Sequence, residues 1–208
     1  MTSSIQRLYR RIRFGEPIVV VSGRPRSGTS MLMTMLDAGG LSVVTDGQRT
    51  ADEDNPKGYF EAERIKSLAR ESDRRWLAGA RGNAIKVISY LLRSLPAHFN
   101  YRVVFIRRDI DEVLASQNKM LARRGERDDT PPEKMRELFE KDVWRAQHML
   151  AHEPQFEMLE VQYTAILAGP LEEARRIAGF VGGGLDVEAM AAAVDPELYR
   201  NRASARAQ

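Results

Sequence analysis

Cysteine is absent from the 208 residues, so no disulfide, thiolate metal site or cysteine nucleophile can be built from this chain. Histidine is scarce. His98, His148 and His152 are the whole complement, and although His148 and His152 stand four apart on an expected helix, no third ligand lies near them. A metal centre is therefore not expected. No apolar run approaches the roughly 18–20 residues of a membrane helix. The amino-terminal MTSSIQRLYRRIRF is basic but carries no apolar stretch of the kind a secretory signal needs, and reads as a short amphipathic lead-in. These absences lead us to expect a cytoplasmic protein without a membrane span. The net charge of +3 suits a small anionic ligand and does not imply nucleic acid.

What is present begins at residues 17–38, PIVVVSGRPRSGTSMLMTMLDA. A β-branched run enters a loop with Gly23, Pro25, Ser27, Gly28, Thr29 and Ser30, and a Met/Leu-rich segment at helical spacing follows. A strand that turns through glycine into a helix N-terminus binds anions, because unpaired N–H groups converge there and the helix dipole adds positive potential. The spacing G-x-x-x-x-G-T-S is the phosphate-loop pattern with Thr29 in place of lysine. A nucleotide kinase needs that lysine at the β/γ-phosphates. Here the nearest cation is Arg26, two residues before Gly28. Taken alone, the loop also fits another phosphate binder or an ordinary glycine turn.

A second motif lies in residues 101–121, YRVVFIRRDIDEVLASQNKML. Tyr101–Ile106 has the short apolar composition of a buried strand, and Val113, Leu114, Gln117 and Leu121 mark a helix after it. Arg108 and Ser116 are eight residues apart across that boundary. Arginine suits phosphate because its planar fork binds it bidentately and keeps its charge. A third stretch, VQYTAILAGPLEEARRIAGFVG at 161–182, carries Tyr163, Leu167, Pro170, Ile177, Phe180 and Gly182. Its apolar face at Leu171, Ala174, Ile177, Ala178 and Val181 reads as core packing.

Together these three stretches resemble the sulfotransferases that use 3′-phosphoadenosine 5′-phosphosulfate (PAPS). P-x-S-G-T-x-x-L with a basic residue at x is similar to their 5′-phosphosulfate loop, and R-[DN]-P-x-x-V-x-x-S to their 3′-phosphate signature, with Ile110 in place of the usual proline. The resemblance covers about residues 17–182. It implies that Arg24, Arg26, Ser27, Gly28, Thr29 and Ser30 hold the 5′ end of the donor, and that Arg108 and Ser116 hold its 3′-phosphate. Arg26 would also neutralise charge on the leaving phosphate, and the enzymes of this type use no metal. Lys86 resembles a lysine that contacts donor or acceptor.

The general base is harder to find. Many cytosolic members carry a histidine where this chain has Ile88. In tyrosylprotein-type members a glutamate after the first helix serves, and its place falls on Gly47, beside Asp46. Among Asp46, Asp52, Glu53, Asp54 and Glu61, the expectation rests first on Glu61, after the turn Asn55-Pro56-Lys57-Gly58, and then on Asp46.

Strands are expected at 18–22, near 84–88, at 101–106 and near 156–162. Helices are expected at 29–38, near 60–72, 89–96, 110–124, 132–151, 170–181 and 187–194. That alternation predicts one α/β domain over residues 1–208, with 1–15 as lead-in and 195–208 as tail. Its mainly parallel β-sheet is flanked by helices in a three-layer architecture like that of P-loop nucleotide kinases. Trp76 and Trp144 are expected in the core or at its rim, and Phe105 inside its strand. Arg123–Glu133 reads as a solvated loop, or a gate over the site. Arg200 and Arg202 fall in a basic tail that could fold back onto phosphates. The expected activity is sulfuryl transfer from PAPS to a hydroxyl or amine of an acceptor that the sequence does not identify. The alternatives are a P-loop-type nucleotide kinase with an altered loop and a nucleotide-binding relative without turnover.

Overall fold

The computed structural model describes residues 4–46, 60, 62–123, 125–126 and 128–198. Its elements in chain order are α1 (Ser4–Phe14), β1 (Pro17–Gly23), α2 (Thr29–Ala38), α3 (Glu63–Lys66), β2 (Ala84–Lys86), β3 (Asn100–Arg107), α4 (Ile110–Arg123), α5 (Pro132–His152), β4 (Phe156–Gln162), α6 (Tyr163–Ala168), α7 (Pro170–Val181) and α8 (Val187–Ala192). The four strands form one sheet in the order β2-β1-β3-β4, and every pairing is parallel.

Alternation along the strands divides the core into two layers. Ile18, Val20, Tyr101, Val103 and Phe105 face one side, where Leu68, Leu77, Leu92 and Leu150 cover them. Val19, Val21, Val104, Ile106 and Val161 face the other, under Leu32, Met33 and Leu36 of α2 and Ile177 and Phe180 of α7. With both faces buried, the strands read as continuous apolar runs, as parallel sheets require. Helices on both sides of a parallel sheet are the architecture expected from the sequence.

Most expected elements are present, with a few differences. The helix expected near 60–72 is only Glu63–Lys66. Beyond it the backbone bonds shorten to three-residue turns, Leu68 N–H to Ile65 and Arg70 N–H to Ser67. Arg74 Nε donates to the carbonyls of Leu68 and Glu71 and holds that irregular path. The segment expected as a helix over 89–96 is a tight 3-10 turn, Ser89–Ser94, which ends because Pro96 forces Leu95 into an extended conformation. An additional short helix, α6, follows β4 directly.

The lead-in is a full helix, and a buried arginine secures it. Arg10 donates to Asn100 Oδ1 at 2.9 Å and to the carbonyls of Pro154 at 2.9 Å, Gln155 at 2.6 Å, Tyr101 at 3.1 Å and Phe156. Asn100 Nδ2 in turn donates to the Gly15 carbonyl at 3.1 Å. Burial pushes the Arg10 guanidinium below its ordinary pKa, and Glu157 opposes that shift. Arg7 adds an ion pair to the buried Glu157 at 3.0 Å. Helix α1 is thereby tied beneath the amino ends of β3 and β4.

Arg10→Ala would strand several buried carbonyls at once, so it should lower unfolding free energy by about 3 kcal/mol or more. The exposed Arg13→Ala should stay within about 0.5 kcal/mol. Urea denaturation of the two variants checks this, and equal midpoints would refute the anchoring role.

Candidate functional site

Parallel register brings three strand ends to one edge of the sheet. Val21 pairs with Lys86 and Gly23 with Ile106, so the loop after β1 lies between the ends of β2 and β3. Ligands of open α/β sheets bind at such carboxyl ends. The loop is internally braced: both the backbone N–H and the hydroxyl of Ser27 donate to the Arg24 carbonyl, at 3.1 and 2.6 Å. Arg26 has a φ of 71°, left-handed for a residue with a side chain, and Gly28 has 104°. Strain of this kind costs roughly 1–3 kcal/mol and persists where the surroundings impose it. Gly28 precedes α2 and offers no side-chain cap to its first turn, which leaves the anion-attracting end of the helix to other partners.

Four residues assigned from two separate motifs meet here. Arg26 Nε donates to Ser116 Oγ at 3.0 Å. Arg108 Nη1 donates to the Arg26 carbonyl at 3.3 Å. Ser27 and Ser116 are both buried. On the β2 side, Lys86 Nζ donates to Ser30 Oγ at 3.2 Å. The site thus gathers Arg26, Ser27, Ser30, Lys86, Arg108 and Ser116, with Thr29 buried at the start of α2.

Carboxylates and rings hold the cations in place. Arg108 Nε pairs with the buried Glu112 at 2.8 Å, and its guanidinium lies 4.4 Å from the centre of the Tyr163 ring. Asp109 accepts from the N–H groups of Asp111 and Glu112 at 2.8 and 3.2 Å, which caps α4 and sets the angle at which it leaves β3. Arg24 pairs with Asp142 of α5 at 3.1 Å and stacks on Phe139 at 3.3 Å. Ser89 donates to the same Asp142 carboxylate. Burial holds the Arg24 guanidinium below its ordinary pKa, against the pull of Asp142. Its Nε is buried with no hydrogen-bond partner among the described residues. A cavity of about 210 Å³ opens here, lined among others by Arg24, Ser27, Arg108, Val113, Phe139 and Trp144.

Sequence reasoning missed Glu112, Phe139 and Asp142. Glu112, in the first turn of α4, stands four after Arg108, which precedes that helix, and an acid at that spacing from an arginine could have flagged it. Nothing in the sequence links Asp142 to Arg24, 118 positions earlier. Tyr163 was read as a marker of the fold, yet its ring lies against both Arg108 and Gly28. Trp144, expected in the core or at its rim, is instead 64% exposed at the mouth of the cavity, and Trp76 is half-buried, its indole N–H on Glu71 at 2.9 Å. Of the expected bases, Asp46 is exposed and accepts the Glu63 backbone N–H at the start of α3. Glu61 lies outside the described residues, as do Asp52, Glu53, Asp54, Arg200 and Arg202.

A methyl group at Gly28 would stand 2.6 Å from the Tyr163 ring, on a backbone that already disfavours side chains. Gly28→Ala should therefore cost roughly 3 kcal/mol. Gly179→Ala, in open space within α7, should be neutral or stabilising by up to about 1 kcal/mol. Thermal unfolding of the pair separates the two cases, and a neutral Gly28→Ala would contradict this account of the loop.

Comparison with known proteins gives three findings. No curated protein matches the chain. A solved structure, retinol dehydratase in complex with androsterone and inactive cofactor PAP, aligns with a TM-score of 0.42 at 17% identity, covering 94% of this chain and 68% of that one. The model of the Sulfotransferase family matches residues 50–186, a segment that takes in Lys86, Arg108, Ser116 and Tyr163 and begins after the glycine loop. That match spans more than half of the chain, and this protein belongs to the Sulfotransferase family.

Proposed function

We propose that this protein transfers a sulfuryl group from PAPS to a hydroxyl or amine of an acceptor by direct in-line displacement. The observation that carries the reading is the 3.0 Å contact between Arg26 and Ser116. Residues assigned to the two ends of one bisphosphate nucleotide, from motifs 90 positions apart, share one cluster. The chemistry of that cluster fits such a donor. It offers arginine forks at Arg24, Arg26 and Arg108, hydroxyls at Ser27, Ser30 and Ser116, and a helix N-terminus. The unpartnered Arg24 Nε leaves a buried donor for an anion to satisfy.

In this reading Gly28, Thr29 and Ser30 present backbone N–H groups to the 5′-phosphosulfate, while Arg108 and Ser116 take the 3′-phosphate. Arg26 and Lys86 flank the point where charge develops. The acceptor oxygen or nitrogen forms its bond to sulfur as the bond from sulfur to the bridging phosphate oxygen breaks. The electron pair of the broken bond stays on the 5′-phosphate, where Arg26 and the loop N–H groups stabilise it. The acceptor proton passes to a carboxylate, Glu61 in the first instance and Asp46 in the second. In this reading the segment Arg123–Glu133 gates the site, as a loop in this sequence position can in the family.

Calorimetry with adenosine 3′,5′-bisphosphate, in the absence of magnesium, tests the donor class. Binding in the micromolar range is expected, weakened about tenfold or more by Ser116→Ala, which removes a hydroxyl from a charged ligand. Arg26→Ala should reduce PAPS turnover by at least about 100-fold while changing bisphosphate affinity much less. Failure to bind the bisphosphate, with magnesium-dependent binding of ATP instead, would hand the site to a kinase.

A further inference from the structure

Helix α1 is amphipathic in the reverse of the usual sense. Its inner face consists of Arg7, Arg10 and Phe14, with the two arginines bound to the sheet below. Its outer face carries Ile5, Leu8, Tyr9 and Ile12, which are 79%, 60%, 55% and 78% exposed. These four follow the i, i+3, i+4, i+7 spacing of one helical stripe. They are four of the seven large hydrophobic side chains exposed among the described residues, so this is a patch and not scatter. At 100° per residue, Arg11 and Arg13 fall on opposite flanks of the stripe. No acidic residue occurs in the helix. Glu157, the carboxylate beneath it, is buried and engaged by Arg7.

We propose that α1 is an interfacial helix that seats the protein on an anionic membrane surface. An apolar stripe between arginines matches such a surface, because the stripe enters the acyl boundary while the guanidinium groups reach the lipid phosphates. Tyr9, which accepts from Arg13 Nη1 at 2.9 Å, has the apolar body and polar tip suited to that boundary. A second copy of the chain fits less well. Two-fold packing of the same stripe would bring Arg11 and Arg13 of both copies together with no helix carboxylate to offset them. The helix is also preformed. An isolated segment of this length is marginal in water, but the Arg10 anchor holds it folded, so binding carries little ordering cost.

The placement keeps the site accessible. Helix α1 lies at the amino ends of the strands and the phosphate cluster at their carboxyl ends, roughly 25 Å away along β3. A protein docked through α1 presents its cluster away from the bilayer.

The test is co-sedimentation of the full chain with vesicles of equal parts phosphatidylserine and phosphatidylcholine, beside vesicles of phosphatidylcholine alone. Binding to the anionic vesicles, weakened by raised salt, is expected. The double variant Ile5→Gln/Ile12→Gln should reduce vesicle affinity at least about tenfold, with its circular dichroism spectrum and bisphosphate affinity unchanged. Arg13→Ala gives a second variant and should weaken anionic binding alone. No association with anionic vesicles, or equal association by wild type and double variant, would overturn the proposal. So would a concentration-dependent dimer in analytical ultracentrifugation that the double variant abolishes, since that outcome assigns the face to a second copy.

Discussion

Parallel pairing of β1 with both β2 and β3 is the constraint on which the site depends. Because Val21 stands beside Lys86 and Gly23 beside Ile106, a single loop meets the ends of both neighbours. A shift of one residue in either register would turn every side chain on that strand to the opposite face. Such a shift would bury Arg102 of β3 where valine now packs and move Arg108 away from the loop. The two apolar layers therefore do more than stabilise the sheet. By selecting the register they also set which cations share a pocket, and the loop, tight at Gly28 against Tyr163, accommodates only that arrangement.

The cluster also has to exist without an anion, and its electrostatics reflect this. Three arginines and a lysine near one loop would repel one another if each stood alone. Glu112 holds Arg108 and Asp142 holds Arg24, while the Tyr163 and Phe139 rings accept the guanidinium faces. Cations held by carboxylates are placed in advance. Arg26 joins the two motifs, its side chain on the Ser116 hydroxyl and its carbonyl accepting from Arg108.

Much of this was readable in the sequence, for local reasons. The bounds of α2 and β4, and the proline start of α5, follow from glycine, proline and β-branched residues within a few positions. That Arg108 and Ser116 would lie together could be expected because one strand-to-helix junction carries both, and both meet Arg26. Contacts between distant segments were not readable. Asp142 reaches Arg24 across 118 positions, and neither residue has a neighbour that announces the other. The stripe on α1 was visible as a period, but its direction was not, because a hydrophobic period ordinarily points inward. Only the acceptors clustered around Arg10 show that this helix is turned the other way. The helix expected at 60–72 failed for a similar reason, since Arg74 captures carbonyls that a helix would have used.

Arg10 has a further consequence, for the order in which the chain comes together. Its acceptors are Asn100, Tyr101, Pro154, Gln155 and Phe156, all at least 90 positions downstream. During synthesis α1 leaves the ribosome well before any of them, so its arginines have no docking partners until β4 has emerged. Contacts of such long range form late, and the interval before them is when a nascent chain is most prone to wrong associations. An early helix with such distant acceptors makes the arrival of residues 154–156 the event that fixes α1 to the sheet.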